Sequence, residues 1–255
     1  MRPASIYDSI RLAARYADSR PPVHRHVVDV IARRLQELGI PRARRALDVG
    51  CGVGLSTAAL GPLAHAAVGL EPAQTMLRHH HEVAPRARFV AGRAEDLPFA
   101  DGSFDLLTAA GSFNYADLAL VLPGVGRVLT GRGVLVIYDF SSGRRLAGDP
   151  RLDAWFDAFE RRYPFPPGYE MDVEGLDFAR AGLRLVRFEV LEVSVPMTGE
   201  AYLAYAMSET NVEQAIAGGT SEGEIAGWCR AGLRDIFPAA ARDVLFDTYI
   251  AIAGR

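Results

Sequence analysis

Apolar residues recur along the chain with two alternating periods. Over residues 4–20, Ile6, Ile10, Ala13, Ala14 and Ala17 keep the spacing of one helical face, and Pro21-Pro22 ends it. Val23, Val27, Val30, Ile31, Leu35 and Leu38 form a second stripe, closed by Gly39 and Pro41. Beyond them the pattern shortens. Compact apolar runs over 46–49, 66–70, 88–91, 104–110 and 134–138 predict buried strands, with helical stretches over 55–63 and 117–129 between them. Thr130-Gly131-Arg132-Gly133 reads as the turn into the fifth strand. Strands alternating with helices predict an α/β fold with a doubly wound, mostly parallel sheet.

The second half is less regular. Residues 149–168 hold Trp155, Phe156, Phe159, Tyr163 and Phe165, an aromatic-rich helix and loop suited to a lid. A helix over 172–181 capped by Gly182, a strand over 183–195, helices over 199–217 and 222–235, and a strand over 245–253 complete the prediction. On the first of those two late helices Met207 suits a packing stripe, whereas the polar Tyr202 and Asn211 suit a substrate pocket. There is no repeat, low-complexity segment or break in composition. The expectation is a single domain over 1–255, with a Rossmann-like core over 42–140, N-terminal helices over 4–39, and lid or insert segments over 145–170 and 199–237.

The candidate chemistry begins where the first strand ends. Ala46, Leu47 and Val49 surround one carboxylate, Asp48, and lead into Gly50, Gly52 and Gly54 at alternate positions. Glycine permits positive φ and removes the Cβ that would hold a ligand off the backbone. Bare amides at a helix N-terminus attract carboxylates and phosphates alike. A dinucleotide fingerprint needs G-x-G-x-x-G/A, but Leu55 stands in third place counted from Gly50 and Thr57 counted from Gly52. Cys51, inside the turn, reads as a small buried residue, since no His or Asn nearby in sequence would activate its thiol. Glu71 closes the second apolar run 19 residues past Gly52, where nucleotide-binding α/β folds set a carboxylate on ribose hydroxyls.

The G-x-G-x-G spacing behind Asp48 resembles the first motif of class I S-adenosylmethionine-dependent methyltransferases, and the run from Glu71 to Leu77 resembles their second. Residues 92–107, GRAEDLPFADGSFDLL, strongly resemble the G-x-A-E-x-L-P-F-x-D-x-S-F-D signature of the type-11 family, and RVLTGRGVLVI at 127–137 matches it too. The resemblance covers about residues 45–140. It implies a seven-stranded sheet of order 3-2-1-4-5-7-6 with strand 7 antiparallel, and S-adenosyl-L-methionine as cofactor. It implies cofactor contacts from Asp48, Gly50, Cys51, Gly52, Glu71, Ala94, Glu95 and Gly111. The Ala94 backbone and the Glu95 or Asp96 side chain would face the adenine, although Arg93 stands where many members carry Asp or Asn. Tyr16 and Arg20 resemble a leading segment that reaches the methionine tail, where Arg20 would grip its carboxylate in bidentate fashion. Asn114 and Tyr115 would line the acceptor pocket, with Tyr202 and Asn211 beside them. The implied reaction is direct displacement of a methyl onto oxygen, nitrogen or carbon of a small molecule. No general base is assigned; Tyr115, Tyr16 and His26 are candidates. A nicotinamide-dependent oxidoreductase and a non-catalytic S-adenosylmethionine-binding protein are the alternatives.

Composition narrows the partners. Hydrophobic residues make up 49% and charged residues 23%, ordinary for a globular chain. A net charge of −3 argues against a nucleic-acid surface, which needs clustered positive charge. All 28 basic residues are arginine, and the Arg-Arg pairs at 33–34, 44–45, 144–145 and 161–162 are scattered. No Asn/Asp-Pro-Pro-Tyr motif is present, which disfavours amino-group methylation of DNA or glutamine, and the Pro-Cys nucleophile of cytosine methyltransferases is absent too. Two cysteines make no disulfide framework. His79-His80-His81 would point about 100° apart on a helix and cannot converge on one ion, so no metal is expected. No apolar run approaches a membrane span of about 20 residues, and residues 1–22 lack the apolar core of a secretory signal. The expectation is a cytoplasmic monomer or homodimer with a small-molecule acceptor, no nucleic acid and no membrane.

Overall fold

The alternating runs become one sheet in the computed structural model, which describes residues 6–166, 171–238 and 240–255. Two expected segments run outside the described residues: the first helix at residues 4–5, and the proposed lid at 167–170. The strands, in chain order, are β1 (Ala43–Val49), β2 (Ala64–Glu71), β3 (Arg88–Ala91), β4 (Phe104–Ala110), β5 (Leu129–Phe140), β6 (Arg145–Leu146), β7 (Arg184–Met197) and β8 (Arg242–Gly254). Their order in the sheet is β3-β2-β1-β4-β5-β8-β6, and β7 also pairs with β8. The expected arrangement holds, with β7 and β8 as its sixth and seventh strands and the two-residue β6 as an addition. None of the described helices is long and apolar enough to cross a membrane.

The chain divides into two compact units. The larger comprises His24–Phe140, Tyr169–Leu191 and Thr248–Arg255. Here β1 pairs in parallel with β2 on one side and β4 on the other, β2 with β3, and β4 with β5. Parallel strands covered on both faces read as unbroken apolar runs, and residues 46–49 of β1 are accordingly all buried. The core joins Leu47, Leu70, Leu107, Val121, Val125, Leu135 and Phe178. Beside β5, β8 runs antiparallel from Leu135↔Ala253 to Phe140↔Thr248. Because β1 to β5 all run parallel, β1, β2 and β4 end at one edge, which collects the loops after Val49, Glu71 and Ala110.

Several element boundaries differ from expectation for local reasons. Residues 172–181 form only a short 3-10 turn, Phe178–Ala181, because the Asp172 carboxylate accepts from Gly175 N and holds a turn there. Residues 130–133, expected as a turn, belong to β5; the register slips between Phe104 and Leu106, where a bulge absorbs the glycines. The histidine run starts a four-residue helix, His80–Val83, whose ring at His80 packs on Phe89. Among the described residues no group of three His, Cys, Asp or Glu is placed to hold a metal ion.

The smaller unit comprises Met1–Val23, Ser141–Gly168 and Glu192–Asp247. It gathers the first helix, Ile10–Ser19, with the aromatic helix Arg151–Arg162 and the late helices Gly199–Met207, Thr210–Ala217 and Glu222–Leu233. The helix expected over 199–217 is two, interrupted at Ser208-Glu209. Its interior is aromatic: Trp155 stacks on Phe159 and Trp228, and Tyr202 on Phe237. Arginine–carboxylate pairs tie it together, Arg11 to Glu213, Arg20 to Glu209, and Arg144 to Asp153 and Asp157.

Candidate functional site

At the edge where the parallel strands end, the glycine turn is held open from beneath. Gly50, Gly52 and Gly54 have φ of 70°, 55° and 102°, all in the region that favours glycine. Their surroundings differ. A Cβ on Gly50 would lie 2.4 Å from Cβ of Ser112, and one on Gly54 3.0 Å from the Phe89 ring. A Cβ on Gly52 would meet nothing within 4 Å. Gly50 and Gly54 are therefore glycine for packing, and Gly52 leaves bare backbone beside open space. The helix Leu55–Ala59 begins directly after Gly54.

Glu71 joins this turn to the end of β2. Its Oε2 accepts from Gly52 N at 3.0 Å and its Oε1 from Ala73 N at 2.9 Å. Two backbone donors orient the carboxylate, which is buried. Gly52 and Glu71, paired from sequence spacing alone, are one hydrogen bond apart.

Asp48 serves the site from below. It is fully buried, its Oδ2 accepts from Ser56 and Thr57 hydroxyls at 2.6 Å each, and its Oδ1 accepts from Thr108 at 2.9 Å. This corrects its expected place among the cofactor contacts: the carboxylate is enclosed, and it pins β1 to the helix after the turn and to β4. Burial pushes its carboxyl up, and the three hydroxyls partly offset that. Cys51 is also buried, and burial, followed by the charges of Asp48 and Glu71, raises its thiol far above the ordinary range. The thiol stays protonated at neutral pH.

Across β4 the edge continues. Gly111 has φ 58°, and a Cβ there would lie 2.7 Å from Oδ1 of Asp139. Ser112 Oγ donates to Val49 O at 2.6 Å, fastening the loop after β4 to β1. Asn114 Nδ2 donates to Asp139 Oδ2 at 3.3 Å, and Phe140 N donates to Oδ1 at 2.8 Å. Burial holds the Asp139 carboxyl above the ordinary carboxylate range, with these two donors working against it. Asp139 escapes a motif-based reading, yet a signal exists: it ends the apolar run of β5 as Glu71 ends that of β2. Tyr115 is 61% exposed beside this loop. On the β3 side, Ala94 is half-buried and Glu95 Oε1 accepts from Arg93 at 3.0 Å and from Asp117 N at 3.4 Å. Burial pushes the Glu95 carboxyl up, but its backbone contacts and Arg93 outweigh this and lower it.

The remaining expected site residues belong to the smaller unit and are engaged within it. Arg20 donates to both carboxylate oxygens of Glu209, at 3.0 and 3.2 Å, with its guanidinium 4.0 Å from the Tyr16 ring centre. The bidentate grip expected on a cofactor carboxylate is thus made on Glu209. Tyr202 and Asn211, expected to line a pocket, are core residues: the Tyr202 hydroxyl donates to Gly143 O at 2.6 Å and Asn211 Nδ2 to Tyr163 O at 2.7 Å. Amphipathic spacing cannot distinguish a polar group facing a pocket from one satisfied by a buried carbonyl.

Comparison with known proteins agrees with this edge. Residues 47–137 match the family model described as a methyltransferase domain, Methyltransf_11. An uncharacterized methyltransferase of Synechocystis, sll0829, is 33% identical over 129 residues, 49% of this chain and 61% of its own. A demethylmenaquinone methyltransferase of Beutenbergia cavernae is 33% identical over 144 residues, 54% of this chain and 58% of its own. The chain spans roughly half the length of the curated relatives it matches. Among solved structures, a candidate type II methyltransferase from Anaeromyxobacter dehalogenans has TM-score 0.65 and 23% identity over 89% of this chain and 95% of its own. The [4+2]-cyclase SpnF has TM-score 0.52 and 20% identity, covering 91% and 80%. At these identities the likeness shows the fold alone, and the cyclase shows that the fold does not dictate one reaction. The segment from β1 to β5, residues 47–137, is therefore where the chain is similar to the methyltransferase-domain family.

Proposed function

We propose that the chain is an S-adenosylmethionine-dependent methyltransferase acting by direct displacement on a small-molecule acceptor. The observation that carries this reading is the bond from Gly52 N to Glu71, which sets open backbone and a strand-end carboxylate side by side. In this reading Glu71 accepts from the ribose hydroxyls, since a carboxylate offers about four lone-pair sites. The backbone at Gly50–Gly52 and Gly111 takes the methionine part, and Ala94 with Glu95 the adenine edge. When bound, the cofactor supplies a methyl group already activated by its sulfonium. The chain's own task is then to hold a nucleophile in line and exclude water. Asn114 and Tyr115 lie on the acceptor side. Asp48 and Ser112 fix the loops, and Arg20 and Tyr16 are left to their contacts with Glu209 and with each other. The demethylmenaquinone methyltransferase among the relatives and the net charge of −3 both support a small acceptor over a nucleic acid.

Calorimetric titration with S-adenosylmethionine, S-adenosylhomocysteine and NAD tests this. The first two are expected to bind and NAD is not. Binding of NAD without S-adenosylmethionine would overturn the assignment in favour of the oxidoreductase.

A further inference from the structure

Asp139 takes no part in the cofactor reading above, and its surroundings call for a ligand of definite chemistry. It stands at the end of β5, two strands from the glycine turn, while Glu71 stands one strand to the other side. At about 4.8 Å per strand, Asp139 lies roughly 14 Å from Glu71 across the edge. A ribose held by Glu71 therefore does not reach Asp139, which lies against Gly111, next to the methionine part of the cofactor in the reading above.

The donors around the carboxylate are all neutral: Phe140 N on Oδ1 and Asn114 Nδ2 on Oδ2. Its partner across β8 is Tyr249, whose hydroxyl is pushed up by burial and by Asp139 itself. The Asn114 amide has only one sensible orientation, because turning it would set its oxygen against the carboxylate. Its Oδ1 is consequently held away from Asp139, and it is buried with no hydrogen-bond partner. An orphaned buried carbonyl keeps the full cost of its lost hydration. A half-buried carboxylate and a buried, unpartnered carbonyl on two hydrogen-bonded side chains are acceptors that a donor could satisfy. Gly111 lacks the Cβ that would strike Asp139, which lets the carboxylate sit against the loop after β4.

Resting on the methyltransferase reading, we infer that Asp139 receives the proton of the acceptor and that Asn114 orients both. The acceptor is then a nucleophile bearing N–H or O–H, an amine or a hydroxyl compound, rather than an anion or thioether that needs no base. The bookkeeping closes: the nucleophile's lone pair forms the bond to the methyl carbon, the electrons of the broken carbon–sulfur bond stay on sulfur, and the acceptor's proton passes to Oδ2 of Asp139. Burial, which lifts this carboxyl above its usual range, makes it a better proton acceptor.

Carboxyl-labelled aspartate, with Asp139 assigned by its loss in Asp139→Asn, lets nuclear magnetic resonance follow this group directly in the whole chain. Benzylamine and phenol serve as probes for the two acceptor types, each titrated with and without S-adenosylhomocysteine. At least one is expected to shift the Asp139 resonance saturably, and which one separates N–H from O–H. Asn114→Ala is expected to raise the midpoint of Asp139 titration, because a donor to the anion is lost, and to weaken probe binding about tenfold. Asp139→Asn should leave S-adenosylmethionine affinity within about twofold. Absence of any saturable shift in both arms overturns the inference, as does a tenfold loss of S-adenosylmethionine affinity in Asp139→Asn, which would place Asp139 on the cofactor. Failure of the unaltered chain to bind S-adenosylmethionine defeats the methyltransferase reading instead, and the probe arm without nucleoside still reports on Asp139.

Discussion

Arginines hold the carboxylates of the smaller unit, whereas neutral donors hold three carboxylates at the strand ends of the larger one. In the smaller unit Arg20 holds Glu209, Arg11 holds Glu213, and Arg144 holds Asp153 and Asp157. At the strand ends of the larger unit, Asp48, Glu71 and Asp139 are held by hydroxyls, backbone N–H groups and one side-chain amide. A guanidinium neutralises the acid it holds. A neutral donor orients the acid and leaves its charge in place, at a cost in desolvation. Glu95 departs from the pattern, since Arg93 holds it. Neutral donors leave Glu71 and Asp139 charged at the strand ends, whereas Asp48, held in the same way, is enclosed and fixes the loops.

The largest expected effect lies in the smaller unit. Side chains of Arg20 and Glu209 are 14% and 7% exposed. Glu209→Gln leaves a buried guanidinium without its counter-charge, and breaking such a pair costs about 3–5 kcal/mol. Chemical denaturation should show that loss. A cost below about 1 kcal/mol would mean that Arg20 is not neutralised by Glu209 and would weaken the contrast.

Next comes the glycine turn, where two neighbours with similar φ should behave differently. Gly50→Ala meets both left-handed strain and a Cβ 2.4 Å from Ser112, and should lose about 2–4 kcal/mol of stability. Gly52→Ala meets only the strain, about 1–2 kcal/mol, but places a methyl in the open space beside the turn. Its larger defect should be in S-adenosylmethionine affinity. Melting curves and calorimetry on both variants separate packing from ligand contact, and equal binding losses would remove the distinction.

Glu71→Gln sharpens the functional side. The amide keeps an acceptor for Gly52 N but lacks the charge and one acceptor face, so S-adenosylmethionine binding should weaken by about 1–3 kcal/mol. Unchanged affinity in a folded variant would take Glu71 out of the site.

Much of this edge is legible in the residue pattern, and the reasons are physical. Parallel strands must be apolar on both faces, so β1, β2, β4 and β5 announce themselves, and an acid that ends such a run stands at the sheet edge. Gly52 and Glu71 follow from that logic and a known spacing. Arg20, Tyr202 and Asn211 do not, because their partners, Glu209, Gly143 O and Tyr163 O, are remote in sequence. A polar residue on a helix stripe looks alike whether it faces a ligand or a buried carbonyl. Asp48 is misread for a related reason: its three hydroxyl partners come from two other elements, and only their convergence shows that the carboxylate is enclosed.

The smallest expected effect tests the comparison most directly, because it has opposite signs in the two units. Burial raises Asp139 in the folded chain above its unfolded value, which is near 3.9. Between those two values the folded state holds a proton that the unfolded state has lost, so this group's contribution to stability falls as pH rises through the window. Asp139→Asn cannot ionise, and it should therefore gain on the parent chain as pH rises from acid toward neutral, with Tyr138 and Tyr249 protonated throughout. Glu213 behaves conversely. Burial pushes it up, but bonds from Arg11 and Ser9 outweigh this and lower it, so its contribution is present above the unfolded glutamate value near 4.3 and fades as pH falls through the folded one. Glu213→Gln should therefore lose most stability near neutral pH and converge on the parent chain in acid. Urea denaturation of both variants across that range reads the two slopes, and slopes of the same sign would show that arginine-held and neutrally held acids do not differ as argued.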